Sequence, residues 1–231
     1  MASQEELKRK AARRAVEFVT SGMVVGLGTG STAKFAIEGL AERLQAGELK
    51  NIYGIPSSQQ TEALAQTQGV PLSDFEEHPL IDVTIDGADE VDPDLNLIKG
   101  GGGALLREKV LAQASRRNII IVDESKMVPR LGTRWSLPVE VIPFARATEL
   151  DFLRRLGAVV SLRTLANGDP FLTDQNNFIL DANFGRILRP HDLARELTQR
   201  AGIMEHGLFL DLATDVIVAG REGIDHLQRS H

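Results

Sequence analysis

Two rhythms of apolar and polar positions alternate along this chain. Short β-branched runs that stop at glycine or acidic residues read as buried strands; longer stretches with apolar residues three and four apart read as helices. The first helix follows Ser3, with Glu6 three residues on as a capping partner, and Gly22 ends it. Met23 to Gly26 reads as a strand leading into a glycine-rich turn. A helix follows, its apolar face made of Ala33, Phe35, Ala36, Ile37 and Leu40. Ser57 and Gln60 open another helix to about Gln68, and Gly69 to Leu72 makes a turn and a short strand. Ile81 to Ile85 is a strand that leaves Asp86 at its carboxyl end. Leu105, Leu106, Val110 and Leu111 recur at helical spacing, and Asn118 to Asp123 is a further buried strand.

The pattern changes near Pro129. Leu137 to Pro143 reads as a strand, Ala147 to Leu156 as a helix, Ala158 to Arg163 as a strand, and Asn177 to Phe184 as an alternating strand. Pro190 to Arg200 is a helix, and Ile203 to Phe209 holds a strand. The order β-α-β-β-α-β is that of the ferredoxin-like split unit. Asp215 to Gly220 returns to the earlier style, and Arg221 to His231 is a closing tail. The expected organisation is an α/β domain over 1–129 and 207–231 with a mostly parallel sheet, and an inserted α+β lobe over 130–206.

Composition narrows the classes. The chain has 231 residues, 42% hydrophobic and 25% charged, and a net charge of −6, as expected of a soluble globular protein without a nucleic-acid surface. It contains no cysteine, which excludes disulfides and thiolate chemistry. No apolar run reaches membrane-spanning length, and the N-terminal MASQEELKRKAARR lacks the apolar segment of a signal peptide, so a cytoplasmic location is expected.

Two stretches carry candidate chemistry. In GLGTGST, Gly26, Gly28 and Gly30 make the turn while Thr29, Ser31 and Thr32 line it, a strand-to-helix arrangement suited to phosphate. The spacing is not that of a dinucleotide fingerprint, and the acidic ribose ligand expected roughly 20 residues on is missing. The second stretch, Asp86 to Lys109, joins Asp86 and Asp89 to Lys99, the glycines Gly100, Gly101, Gly102 and Gly103, and Glu108. Four consecutive glycines are costly to order. Between Lys99 and a helix they offer backbone N–H groups to an anionic or oxyanionic group. Lys126 falls just past another strand end. Glu90, Asp92 and Asp94 read as an exposed loop face, with Arg107 pairing one of them.

Taken in order, GLGTGST, DGADEVD, KGGGGALLREK, DESK and EHGLFLDLATDVIVAG resemble the type A ribose-5-phosphate isomerase family over nearly the whole chain. The resemblance implies metal-independent conversion of ribose 5-phosphate to ribulose 5-phosphate, in the pentose phosphate pathway, without a cofactor. It implies a Rossmann-like sheet with the small ferredoxin-like lobe, and a homodimer or homotetramer. It puts the proton acceptor on Glu108 and substrate contacts on Thr29, Gly30, Ser31 and Thr32, on Asp86, Gly87, Ala88 and Asp89, on Lys99, Gly100, Gly101 and Gly102, and on Lys126. Lys8 matches an N-terminal lysine able to reach the phosphate. This chain departs from the family pattern at Gly103 and Leu106, more often alanine and threonine, and in TDQNNFILD, more usually TDNGNFILD.

The implied reaction assigns roles. One carboxylate, Glu108, takes the C2 proton and returns it to C1 through an enediol. Lys99 and the glycine-loop amides meet the developing negative oxygen. Asp86 opens the sugar ring and moves protons between O1 and O2, and Asp89 orients it or the sugar hydroxyls. The five histidines lie away from this motif in sequence, which disfavours a transition-metal site there. Two other classes remain. A coenzyme A transferase would use a glutamate to attack an acyl group, but would leave the hydroxyl-lined turn and the two aspartates without a role. A sugar-phosphate sensor expects an appended helix-turn-helix, which residues 1–22 are too short to hold.

Overall fold

A computed structural model describes residues 3–229. In chain order the elements are α1 (Gln4–Val16), β1 (Val24–Leu27), α2 (Ala33–Gln45), β2 (Tyr53–Pro56), α3 (Gln59–Thr67), β3 (Ile81–Asp86), β4 (Glu90–Val91), β5 (Leu97–Ile98), α4 (Leu105–Ala114) and β6 (Ser115–Asp123). Then come β7 (Leu137–Val141), α5 (Arg146–Arg155), β8 (Val159–Leu162), β9 (Phe178–Asn183), α6 (Pro190–Thr198), β10 (Ile203–His206), β11 (Leu208–Phe209), β12 (Asp215–Ala219) and β13 (Ile224–Gln228). The chain divides into two compact units. One comprises 1–88, 107–126 and 211–231; the other comprises 89–106 and 127–210.

The first unit is built on a six-stranded sheet in the order β13-β12-β6-β3-β1-β2. Every neighbouring pair is parallel except β12 with β13. Ile119, Ile120, Ile121 and Val122 of β6 are all buried, as a strand covered on both faces requires. One core joins Ala11, Ala15 and Val16 of α1 and Phe35, Ile37 and Leu40 of α2 to Val25, Leu27, Val83, Ile85 and Ile217 of the sheet. α1 begins at the expected capping box: Ser3 accepts from the Glu6 N–H, and Glu6 reaches back to the Ser3 N–H. α3 begins one residue later than the sequence suggests. Ser58 is its cap, accepting from the Thr61 N–H, while Ser57 is turned inward.

The second unit holds two antiparallel sheets, β10-β7-β9-β8 and β11-β5-β4. The first has the strand and helix order read from the sequence, and its core gathers Leu137, Val139, Val141, Leu153, Leu180, Leu197 and Ile203.

Four expectations need correction. Residues 89–106 do not go with the first unit, because β4 pairs with β5 and β5 with β11, and Ile98 packs into the second core. The run Ile203 to Phe209 is two strands in two sheets, broken at Gly207, whose N–H bonds Pro138 O and whose carbonyl accepts the Lys99 N–H. The 221–231 tail contains a strand, β13. Glu90 and Asp92 are buried rather than exposed. Glu90 accepts the N–H groups of Gly132, Arg134 and Trp135; Asp92 accepts those of Asp94 and Asn96. Residues 1, 2, 230 and 231 of the expected ranges lie outside the described residues.

Candidate active site

In the first unit, β1 ends against the carboxyl end of β3, and the turn between β1 and α2 is shaped by Asp86. A methyl group on Gly28 would lie 2.1 Å from Asp86 Oδ1 and 2.6 Å from its Cα, so only glycine fits. Asp86 is 2% exposed, and its Oδ1 accepts the N–H groups of Gly87 and Thr29 at 2.7 and 3.2 Å. The Thr29 hydroxyl turns inward to those of Ser57, Ser58 and Thr61, at 2.7, 2.8 and 3.0 Å. Thr61 in turn donates to Gly28 O. The sequence suggests only a helix-capping role for Ser57; nothing in the spacing of Ser57, Ser58 and Thr61 marks them as a brace for the turn.

Ser31 is exposed at the turn and accepts from Lys8 Nζ at 2.8 Å, so the N-terminal lysine does reach this site. Thr32 caps α2 without a side-chain hydrogen bond. A cavity of about 360 Å³ opens here, lined in part by Gly30, Ser31, Lys34, Gln60 and Leu64. Lys34 lines this recess, and Lys8 reaches Ser31 at its edge, where α2 begins.

Two more candidates belong to this unit. Glu108 is 5% exposed in the first turn of α4. Lys126 ends the short 3-10 turn after β6, where its charge acts on Asp123. Burial pushes the Asp123 carboxyl up, but hydrogen bonds from Ser125 and Gln4 and the Lys126 charge outweigh it and leave it below the usual range.

In the second unit, Asp89 Oδ2 accepts the Gly101 N–H at 2.8 Å, and the Asp89 N–H bonds Ile98 O. One loop amide expected to face substrate is therefore already committed. Lys99 is 3% exposed, with its Nζ 5.4 Å from the centre of the Phe209 ring. Gly100 and Gly103 both have positive φ, +100° and +84°, and the Gly103 N–H closes the loop onto Gly100 O. Gly102 is exposed at the tip. Of the expected site residues, Lys8, Thr29 to Thr32, Asp86, Gly87, Ala88, Glu108 and Lys126 thus lie in the first unit; Asp89 and Lys99 to Gly102 lie in the second.

Comparison with known proteins shows the family. Residues 53–223 match the family model for ribose 5-phosphate isomerase A (phosphoriboisomerase A). The ribose-5-phosphate isomerase A of Desulfatibacillum aliphaticivorans is 60% identical over 228 residues, covering 99% of each chain. A D-ribose-5-phosphate isomerase solved in complex with phospho-erythronic acid superposes with a TM-score of 0.96 at 43% identity, over 99% of this chain and 100% of that one. The Methanocaldococcus jannaschii ribose 5-phosphate isomerase A structure gives 0.93 at 38% identity, over 98% and 100%. With a phosphate-type turn, a glycine loop and buried acids and lysine set out in the family's order, the chain belongs to the ribose 5-phosphate isomerase A family and is an isomerase of ribose 5-phosphate.

Proposed function

We propose that Glu108 is the base that carries the proton between C2 and C1. Its carboxylate removes the C2 proton of the open-chain aldose, and the electron pair moves through C1 onto O1 to give an enediolate. The resulting carboxylic acid delivers a proton to C1. Asp86 moves the proton between the two oxygens and assists ring opening, and Asp89 orients the loop. Lys99 and the Gly102 N–H stabilise the negative oxygen. The phosphate binds at the Gly30–Thr32 turn with Lys8, and Lys126 contacts the substrate. Thr29 contributes by holding the shape of the turn, since its hydroxyl is engaged by the serine cluster and its N–H by Asp86.

The observation that carries this reading is burial. Asp86, Lys99 and Glu108 are 2%, 3% and 5% exposed, within one short stretch of chain. Charged side chains are rarely withdrawn from water so fully, and a desolvated acid, base and ammonium suit proton transfer and oxyanion stabilisation. The electrophile in this scheme is an ammonium and a peptide N–H, so turnover persists in excess chelator. The net charge of −6 supports a protein that binds neither nucleic acid nor an anionic membrane surface, and we place it in the cytoplasm. A homodimer or homotetramer, checked by light scattering, completes the proposal.

Glu108→Gln tests it. The amide keeps the shape but accepts no proton, so kcat falls by about 10²–10⁴-fold or more while substrate still binds. In deuterated water the wild type places solvent deuterium at C1 of the product, and Glu108→Gln does not exchange the C2 proton. Near wild-type exchange in that variant would move the role to another residue, Asp86 first.

A further inference from the structure

Arg163 lies just beyond β8, outside every motif that marked the site in the sequence. Its backbone is fixed on both sides: its N–H bonds Ile179 O, and its carbonyl accepts the Phe171 N–H. Its guanidinium makes four hydrogen bonds. Nε and Nη2 take the two oxygens of Asp181 on β9, at 3.0 and 2.5 Å. Nη1 donates to Gly100 O and Gly101 O, at 2.8 and 3.0 Å. Phe171, 6.0 Å from the guanidinium at its ring centre, covers Gly103 at the other end of the loop.

Peptide planarity turns these contacts into a direction. In a trans peptide the N–H points opposite to the carbonyl of the same plane. With the Gly100 carbonyl held by Arg163, the Gly101 N–H must point away from the guanidinium, and it meets Asp89 Oδ2 at 2.8 Å. With the Gly101 carbonyl held the same way, the Gly102 N–H must also point away from the guanidinium, on an exposed residue. Unrestrained glycines would sample many orientations of these planes.

We propose that Arg163 is a positioning residue for the isomerisation: anchored by Asp181, it holds the Gly100 and Gly101 carbonyls and so aims the Gly102 N–H as the oxyanion donor of the glycine loop. This rests on the reading that the loop stabilises the enediolate. With four of its five N–H groups engaged within the protein, Arg163 has little left to give an anion of its own. Its effect passes through the loop. A lysine could not replace it, because a point charge cannot span two carbonyls and a carboxylate at once.

The test compares Arg163→Met and Arg163→Lys with the wild type, each checked for a native thermal transition. Both should lose roughly 10–100-fold in kcat, since a misplaced catalytic group costs on that order. KM for ribose 5-phosphate and affinity for inorganic phosphate should stay within about threefold, because the phosphate is held elsewhere. Affinity for phospho-erythronic acid, whose carboxylate offers two oxygens where the enediolate does, should fall with kcat. Faster hydrogen exchange at the Gly101 amide should accompany the loss. Folded variants with wild-type kcat would overturn the proposal, as would equal losses in phosphate and phospho-erythronic acid binding. Should Arg163→Met not fold, Asp181→Asn keeps the arginine and removes its anchor; full kcat there would overturn the proposal equally. Failure of the underlying reading looks different: Lys99→Ala, with Arg163 untouched, would then leave kcat unchanged.

Discussion

At Gly103 a single hydrogen atom decides how the glycine loop closes. The residue sits at φ +84°, and a methyl group there would come within 2.5 Å of the Phe171 ring. The family pattern more often has alanine here, and in this chain the Phe171 ring occupies the place that a methyl would need. Gly103→Ala is expected to cost about 1–3 kcal/mol, from overpacking and an unfavourable φ together. Phe171→Leu in the same molecule should return part of it; denaturant titration of the three variants checks both. The second departure from the family pattern has a similar logic. Asn176 stands where glycine is usual and adopts φ +59°, a conformation asparagine tolerates better than most residues. The turn is therefore kept, and Thr173 and Asn177 on either side of it both donate to Glu140 Oε1. Glu140 is fully buried, and its Oε2 has no donor among the described residues. Burial pushes its carboxyl up, the Asn177 and Thr173 hydrogen bonds oppose the rise, and the charges of Glu205 and Asp174 add to it. A carboxyl raised in the folded state stabilises fully below its unfolded value of about 4.3 and loses that contribution as pH rises through the folded value. Glu140→Gln should therefore raise the melting temperature at about pH 8 and give no gain near pH 4, read by calorimetry across that range. Little of this is visible in the sequence. Acidic residues in an acid-rich run, such as Glu90 and Asp92, look solvated until the N–H groups they accept are known.

Elements that rest on periodicity were legible, and elements that rest on pairing alone were not. β3, β6 and β12 announce themselves as apolar runs, and the second unit's strands and helices follow the pattern read from 137 onward. β4, β5 and β11 have two residues each, too few for any period. β13 hides for another reason: it is an edge strand with Ile224 and Leu227 both exposed, so no buried face marks it. Side-chain bonds tie it in place. Asp215 on β12 accepts from Arg117 on β6 through two bonds, from Thr214, and from His226 and Gln228 on β13. Burial works against its charge, but those bonds hold the carboxyl well below the usual range. A carboxyl depressed in the folded state stabilises above its unfolded value, about 3.9, and loses that contribution as pH falls toward the folded one. Asp215→Asn should lower the melting temperature near neutral pH by roughly 2–10 °C, for about 1–3 kcal/mol lost from charged hydrogen bonds. The gap between variant and wild type should narrow as the pH is taken below about 4. A constant gap down to about pH 2 would place the effect in packing instead.

Across the whole molecule, the candidate site was read from the sequence as two stretches, with Lys126 past a further strand end. What the motifs do not contain is their support. Ser57, Ser58 and Thr61 brace the first turn, and Arg163 with Asp181 braces the glycine loop. A lone arginine after an apolar run has no sequence signature that separates it from a surface residue, so its contacts had to be seen. The expected domain limits at 129/130 and 206/207 fall near two of the observed divisions, 126/127 and 210/211. The other two, 88/89 and 106/107, went unread because β4 and β5 were unread.

Those four crossings matter while the chain is being made. During synthesis β1, β2, β3 and β6 are complete once residue 123 has emerged, but β6 has its outer edge unpaired until residues 215–219 follow. That edge is Ile119 to Val122, an apolar β-branched row of the kind that recruits other strands. At about 5–20 residues per second, the ribosome leaves it open for roughly 5–20 seconds while the second unit is translated. The order of the genetic message thus builds in an interval of vulnerability, and the last stretch of the chain is what ends it.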